Sequence, residues 1–234
     1  MIQIILYTSI YPESNEERAK ELAFCLEQNC LSGFDKIVVL VEAATLGQNL
    51  SELLNHCENT AAKWGTELVP VMSPTRPTLN DYLDKAYSED PNSLHILANS
   101  DIIIPTKALH QLSDLPWEKK LYVGLSRWDI GREGTLQLLN RPDSADVFAW
   151  YGPAEIKGCK CSPGFPGFDN RIAYEFHASG YKVVNPSLDI ITKHLHLVQK
   201  NNYRQDGKPD GAVLANQICP EPYFFHPPIH IKQI

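Results

Sequence analysis

The chain has 234 residues, 43% of them hydrophobic, which is enough to bury a full core as one large domain or two intimate halves. Its formal net charge is −7, and its 21 lysines and arginines are scattered without a basic run, which argues against a nucleic-acid surface. No stretch of about 18 apolar residues occurs, so no membrane span is expected.

The amino-terminal half reads as alternating strands and helices. Ile2 to Tyr7 is an apolar strand; it lacks the basic start of a signal peptide, and no convincing cleavage site follows. Ser14-Asn-Glu-Glu17 is a capping-box pattern, and Ala19, Leu22, Ala23, Leu26 and Cys30 then recur at helical spacing up to Gly33. Lys36 to Val41 is a second buried strand. Asn49 and Glu52 open a helix with Leu50, Leu53, Leu54, Cys57 and Ala61 on one face. Glu67 to Met72 is a third strand, and Pro70 predicts an edge position for it. Thr78 caps a helix carrying Leu79, Tyr82, Leu83 and Ala86. Leu94 to Ala98 is short and wholly apolar, as a strand buried on both faces is. A short helix from Pro105 or Thr106 to about Leu112 closes this half. The order predicts a mostly parallel sheet with helices on both faces, an α/β fold.

The second half is less regular. Leu121 to Leu125 and Ala145 to Trp150 read as strands, joined by a long connection, 127–144, with room for a hairpin. Lys157 to Phe168 is a loop rich in Gly and Pro. Asn170 to Ser179 is a helix, stopped by Gly180. Tyr181 to Val184 and Leu188 to Thr192 read as strands, the second leading into His194-Leu-His196. From Asn201 onward the chain has many prolines and little periodicity. The six cysteines form no CxxC pair, so a zinc site is poorly supported. Cys25, Cys30 and Cys57 fall in helices as buried thiols. Cys159 and Cys161 read as two loop thiols without a structural role, and the chain is expected to be cytoplasmic and reduced.

Four groups of residues can carry chemistry. Asn99, Ser100 and Asp101 follow the buried strand at once, where open α/β sheets bind ligands and where a carboxylate can hold a divalent cation. All three also favour turns, which is the plain structural alternative. Arg76 and Asn80 precede the central strand, and Arg76 can pair with a phosphate or a base. Asp169 follows a stiff Gly/Pro loop at a helix start, where a carboxylate can act as general base or simply cap the helix. The helix N-terminus is expected to keep it ionised. His194 and His196 share one face of a strand and can complete a cation site begun by Asp101.

Together these residues resemble the nucleotide-sugar glycosyltransferases of the GT-A fold, of the small bacterial family-2-like kind. Three stretches carry the resemblance. They are Ile4-Ile-Leu-Tyr-Thr-Ser9 with its helix, Ile96-Leu-Ala-Asn-Ser-Asp101 in place of a DXD motif, and Gly167 to Pro186 ending in His194 and His196. The resemblance implies one Rossmann-related domain over residues 1–200. Residues 1–115 form the nucleotide-sugar half, 116–200 the acceptor half, and 201–234 a tail that packs on the domain or forms a flap. It implies a Mn²⁺ or Mg²⁺ ion held by Asp101 with His194 or His196, donor contacts from Thr8, Arg76, Asn80, Asn99 and Ser100, and Asp169 as catalytic base. The expected partners are a nucleotide-sugar donor and a glycan or other hydroxyl acceptor, and the expected reaction is inverting transfer. Trp128, Trp150 and Tyr151 can offer faces to sugar rings or pack in the core. Two departures mark the chain: Asn99 replaces the first acid of the motif, and Phe168 replaces the acid before Asp169. They motivate a second expectation, an inactive glycan- or nucleotide-binding module on the same fold. A nucleotidyltransferase is disfavoured, because Thr8-Ser-Ile-Tyr-Pro12 is no Gly-rich basic loop.

Overall fold

The computed structural model describes residues 2–43, 47–89, 91–158, 160–165, 167–198 and 226–234. Its first half alternates as the apolar pattern predicts: β1 (Gln3–Ile10), α1 (Glu16–Cys30), β2 (Lys36–Glu42), α2 (Gln48–Lys63), β3 (Glu67–Ser73), α3 (Leu79–Tyr87) and β4 (Ser93–Ala98). The chain continues through β5 (Ile102–Ile103), α4 (Thr106–Ser113), β6 (Leu121–Leu125), β7 (Trp128–Ile130), β8 (Leu136–Leu138) and β9 (Val147–Tyr151). It closes with α5 (Phe168–Ala178), β10 (Lys182–Val184) and β11 (Lys193–His194).

The main sheet has seven strands in the order β10-β6-β9-β4-β1-β2-β3. Strands β1, β2, β3 and β4 run parallel, while β9 runs antiparallel to both its neighbours, β4 and β6. All six residues of β4 are buried, which is why that strand carries no alternation. One core lies between the sheet and α1, α2 and α4, built on residues such as Leu26, Leu54, Ile96 and Leu109. The other lies under α3 and α5, built on Tyr82, Leu97, Phe148 and Phe176. Each fully buried side chain of this size contributes about 1.5–3 kcal/mol, so the two layers fix the sheet and thereby its carboxyl edge.

β3 does lie at the sheet edge, as Pro70 requires. Thr78 does cap α3: its side chain and that of Asp81 form a reciprocal capping box. The long connection does contain a hairpin, β7 against β8.

Other expectations are corrected. The cap of α1 is Asn15, not Ser14, because the Asn15 side chain accepts from the Arg18 N–H at 3.0 Å. Leu188 to Thr192 is a turn rather than a strand. The Pro186 carbonyl accepts from Asp189 and Ile190, and the Asp189 carboxylate accepts from the Ile231 N–H at 2.7 Å. Trp150 is fully buried and stacks on His95, with ring centroids 5.5 Å apart, so it is core and no sugar platform. Trp128 is half-buried in β7 and donates from Nε1 to the Ser187 carbonyl at 3.0 Å.

Cys25, Cys30 and Cys57 are buried thiols, as expected. Cys161 is disulfide-bonded, which overturns its reading as a loop thiol and removes that support for a wholly reduced chain. Cys159 lies outside the described residues. Of the carboxyl-terminal tail, only 226–234 is described. Ile229, Ile231 and Ile234 pack on the first core, and the Ile229 N–H donates to the Asn185 carbonyl at 2.8 Å. No helix among the described residues is long and apolar enough to cross a membrane.

Candidate active site and cation centre

β4 ends at Ala98, and Asn99, Ser100 and Asp101 turn out of the sheet, closed by a bond from the Ile102 N–H to the Asn99 carbonyl at 3.1 Å. The chain then enters a second, small sheet ordered β5-β11-β7-β8. In it His194 stands opposite Ile102 on β5 and opposite Asp129 on β7. The Leu195 N–H donates to the Asp101 carbonyl at 3.0 Å. Strands of two or three residues thus set Asp101, His194 and Asp129 side by side, although 93 and 65 positions separate the bonded pairs in sequence.

A cleft of about 300 Å³ opens here, and its lining includes Asn99, Ser100, Asp101, His194 and His196. One ligand atom from each of Asp101, His194 and His196 lies within 4.8 Å of the others. His194 Nε2 is 3.2 Å from Asp101 Oδ2, and His196 Nδ1 is 3.8 Å from the same oxygen. One carboxylate and two imidazoles make a mixed oxygen and nitrogen donor set that suits a divalent transition metal, Mn²⁺ included. These residues therefore fit a cation.

A guanidinium already shares this carboxylate. Arg18, on the inner face of α1 and only 5% exposed, places Nη2 2.5 Å from Asp101 Oδ2. Its Nη1 donates to Glu21 and to the Leu195 carbonyl. Glu21 in turn accepts from the N–H groups of Leu197 and Val198. So α1 grips the segment that carries both histidines. Burial pushes the Asp101 carboxyl up, but the His194 hydrogen bond and the charges of His194 and Arg18 outweigh it and hold Asp101 well below the carboxylate range. Burial lowers His194, but Asp101 more than compensates and raises it; His196 is lowered, by burial first and then by Arg18.

Asp146 also lines the cleft, whereas Asp169 is not among its lining residues. Asp146, at 7% exposure, accepts from Asn99 Nδ2 at 2.6 Å and from Arg127 Nη1 at 3.3 Å. Burial raises it, with Arg127 only partly offsetting. Asp169 sits in the first turn of α5, behind Gly167, whose φ of 89° favours glycine at the helix entry. Gly167 rather than Asp169 is the N-cap, and the Asp169 side chain instead accepts from the Ala145 N–H at 3.2 Å. Burial first, and the neighbouring Asp146 carboxylate second, push Asp169 well above the ordinary range. That overturns the expectation that the helix terminus keeps it readily ionised.

The remaining candidates divide. Arg76 lines the cleft, donates to the Pro163 carbonyl at 2.7 Å and lies over the Phe165 ring at 4.2 Å. Thr8 is not at the cleft: it is buried on the β1 face it shares with Leu6 and Ile10, and Ser9 lines the cleft in its place. Asn80 is not among the lining residues either; its side chain is packed against Gly158. Sequence reasoning missed Arg18, Glu21, Arg127 and Asp129. A signal existed for the first two, because Arg18 and Glu21 share a helical face with Leu22 and Cys25, and charges on an apolar face call for partners. Asp129 sits in a three-residue strand and left none.

No family model matches the sequence, and no curated protein matches it. Among solved structures the chain is similar to the mannosyltransferase PcManGT from Pyrobaculum calidifontis, in complex with GDP-Man and Mn²⁺. The TM-score is 0.59 at 14% identity, covering 86% of this chain and 58% of that one. This chain thus spans little more than half the length of that protein. The likeness shows the fold alone: a mixed α/β fold with a mostly parallel central sheet.

Proposed function

We propose that this chain is a GT-A, family-2-like glycosyltransferase that moves a sugar from a nucleotide-diphosphate sugar to an acceptor hydroxyl with inversion. The observation that carries the reading is the Asp101, His194 and His196 cluster at the carboxyl end of β4, in a fold shared with a protein solved with GDP-Man and Mn²⁺. Ligands of open α/β sheets bind at this edge. A bound Mn²⁺ or Mg²⁺ supplies Lewis-acid stabilisation of the leaving diphosphate, and Asp101 with the two histidines are the residues to hold it.

The chain's own groups account for the rest. Arg76, fixed by Pro163 and Phe165, presents a guanidinium to the donor, and Asn99 and Ser100 present polar groups beside it. Residues 1–115 then hold the donor, and 116–200 face the acceptor. Asp169 takes the acceptor proton as the acceptor oxygen bonds to the anomeric carbon and the bond to the diphosphate oxygen breaks. Once ionised, it is a stronger base than an ordinary carboxylate, because burial and Asp146 raise its proton affinity.

One observation favours a second reading, a module that binds donor or glycan without turnover. Phe168, where the family has a second acid, is fully buried with its ring 5.3 Å from that of Phe148. The test is a panel of sugar nucleotides with Mn²⁺, scored for released nucleoside diphosphate with and without acceptors. Release from one donor supports the transferase; binding without release from any donor supports the module.

A further inference from the structure

The small sheet places one residue where the candidate cation site needs it and where nothing yet assigns it a task. Asp129 Oδ1 lies 2.7 Å from His194 Nδ1, on the far side of the ring from Asp101. An ionised carboxylate only accepts hydrogen bonds, so Nδ1 carries a hydrogen and donates it. That fixes the ring's orientation and leaves Nε2 directed at Asp101, 3.2 Å away. Asp129 is itself held: Arg127 donates from Nε to the same Oδ1 at 2.9 Å, and reaches Asp146 with Nη1 at 3.3 Å. The pairing is set by backbone register, because β7 and β11 run parallel with Asp129 opposite His194. Four side chains, Asp101, His194, Asp129 and Arg127, therefore form one continuous row of contacts that ends on Asp146, and Asp146 also binds Asn99.

We infer that Asp129 is a positioning residue for the cation centre: it holds His194 in the tautomer and orientation that aim Nε2 at the cation, and Arg127 holds Asp129. The inference rests on the reading of Asp101, His194 and His196 as a cation site. A carboxylate behind a metal-binding histidine fixes the ring and raises its basicity, and losing such a partner typically lowers metal affinity about 10–100-fold. A residue that serves only the fold leaves the affinity of the folded protein unchanged.

The experiment measures Mn²⁺ affinity by calorimetry, and the visible spectrum of the Co²⁺ form, for the wild type, Asp101→Ala, Asp129→Ala and Asp129→Asn. The melting temperature of each is recorded alongside. The wild type binds one Mn²⁺ and Asp101→Ala binds none, which establishes the site. Asp129→Ala binds about 10–100-fold more weakly and shifts the Co²⁺ bands, as a rotated or re-tautomerised ligand does. Asp129→Asn recovers part of the affinity, because its amide oxygen still accepts from Nδ1 but lacks the charge. If Asp129→Ala does not fold, Asp129→Asn carries the test, with a ¹⁵N measurement of the His194 tautomer: weaker binding with a mixed tautomer supports the inference. Wild-type Mn²⁺ affinity in the folded Asp129 variants overturns this inference alone. A wild type that binds no Mn²⁺ overturns the cation-site reading with it.

Discussion

Asp101 lines the cleft and Asp169 does not, and the surroundings of these two carboxylates drive them in opposite directions. Asp101 faces Arg18 and His194, and their charge and hydrogen bonds hold it ionised. Asp169 has burial and the Asp146 carboxylate against it, and the N–H groups of Ala145 and of Asp169 itself, with the more distant Arg127 charge, do not offset them. Burial raises both carboxyls, and at Asp101 the hydrogen bond and charge of His194 and the charge of Arg18 are enough to reverse it. The difference fits the two tasks proposed for them. A group that stays charged holds cations, and a group that holds its proton more tightly is suited to take one in a reaction.

The largest expected effect removes the charged side. Asp101→Ala loses the carboxylate that both histidines face, so Mn²⁺ no longer changes the affinity for nucleoside diphosphate. The loss exceeds the about 10–100-fold typical of an outer partner. Titration of nucleoside diphosphate with and without Mn²⁺ reads this directly, and metal-stimulated binding in the variant contradicts the assignment.

A second prediction asks what burial does with no charge nearby to oppose it. His95 is 1% exposed, against Trp150 and the Tyr7 hydroxyl, and burial lowers it to about 4. A histidine whose folded pKa is depressed stays neutral while the unfolded chain takes up a proton. Stability is therefore full above about pH 6.5 and falls as pH drops toward 4. The shift corresponds to about 3 kcal/mol across that window. Chemical denaturation of the wild type and His95→Gln at pH 7 and pH 4.5 checks it; an equal pH slope in both proteins assigns the acid sensitivity elsewhere.

A third prediction sharpens the other side. Because Asp169 is raised in the fold, the folded state binds its proton more tightly than the unfolded chain does. Stability is therefore lost as pH rises from the ordinary carboxylate range through the raised value. Asp169→Asn removes that penalty. At pH above the window it should melt at a higher temperature than the wild type. A lower melting temperature would mean that the ionised carboxylate stabilises the fold.

The two halves of the molecule differed in how far they could be read from sequence. β1 to β4 and α1 to α3 were legible because long apolar periods and the Thr78 and Pro70 signals all agreed. The second sheet was not, because β5 and β11 have two residues each and β7 and β8 three, too few to show a period. Leu188 to Thr192 had a strand-like apolar pattern, but the carboxylate of Asp189 found partners in the distant carboxyl terminus and the chain turned there. In the site, Asp101 and the histidines stood out because polar groups after a buried strand need a reason. Arg127 and Asp129 lay in a connection whose pairing only the tertiary structure supplies. Thr8 was one position off, and strand alternation sent it to the opposite face from Ser9.

The division of labour between the two carboxylates is tested most directly by Asp169→Asn, with single-turnover release of nucleoside diphosphate measured beside donor affinity in the presence of Mn²⁺. Asn keeps an oxygen for the Ala145 N–H but cannot take the acceptor proton. The account predicts that turnover falls about 10²–10⁴-fold, the usual contribution of a general base, while donor affinity stays at the wild-type value. An Asn variant that turns over at the wild-type rate would contradict it.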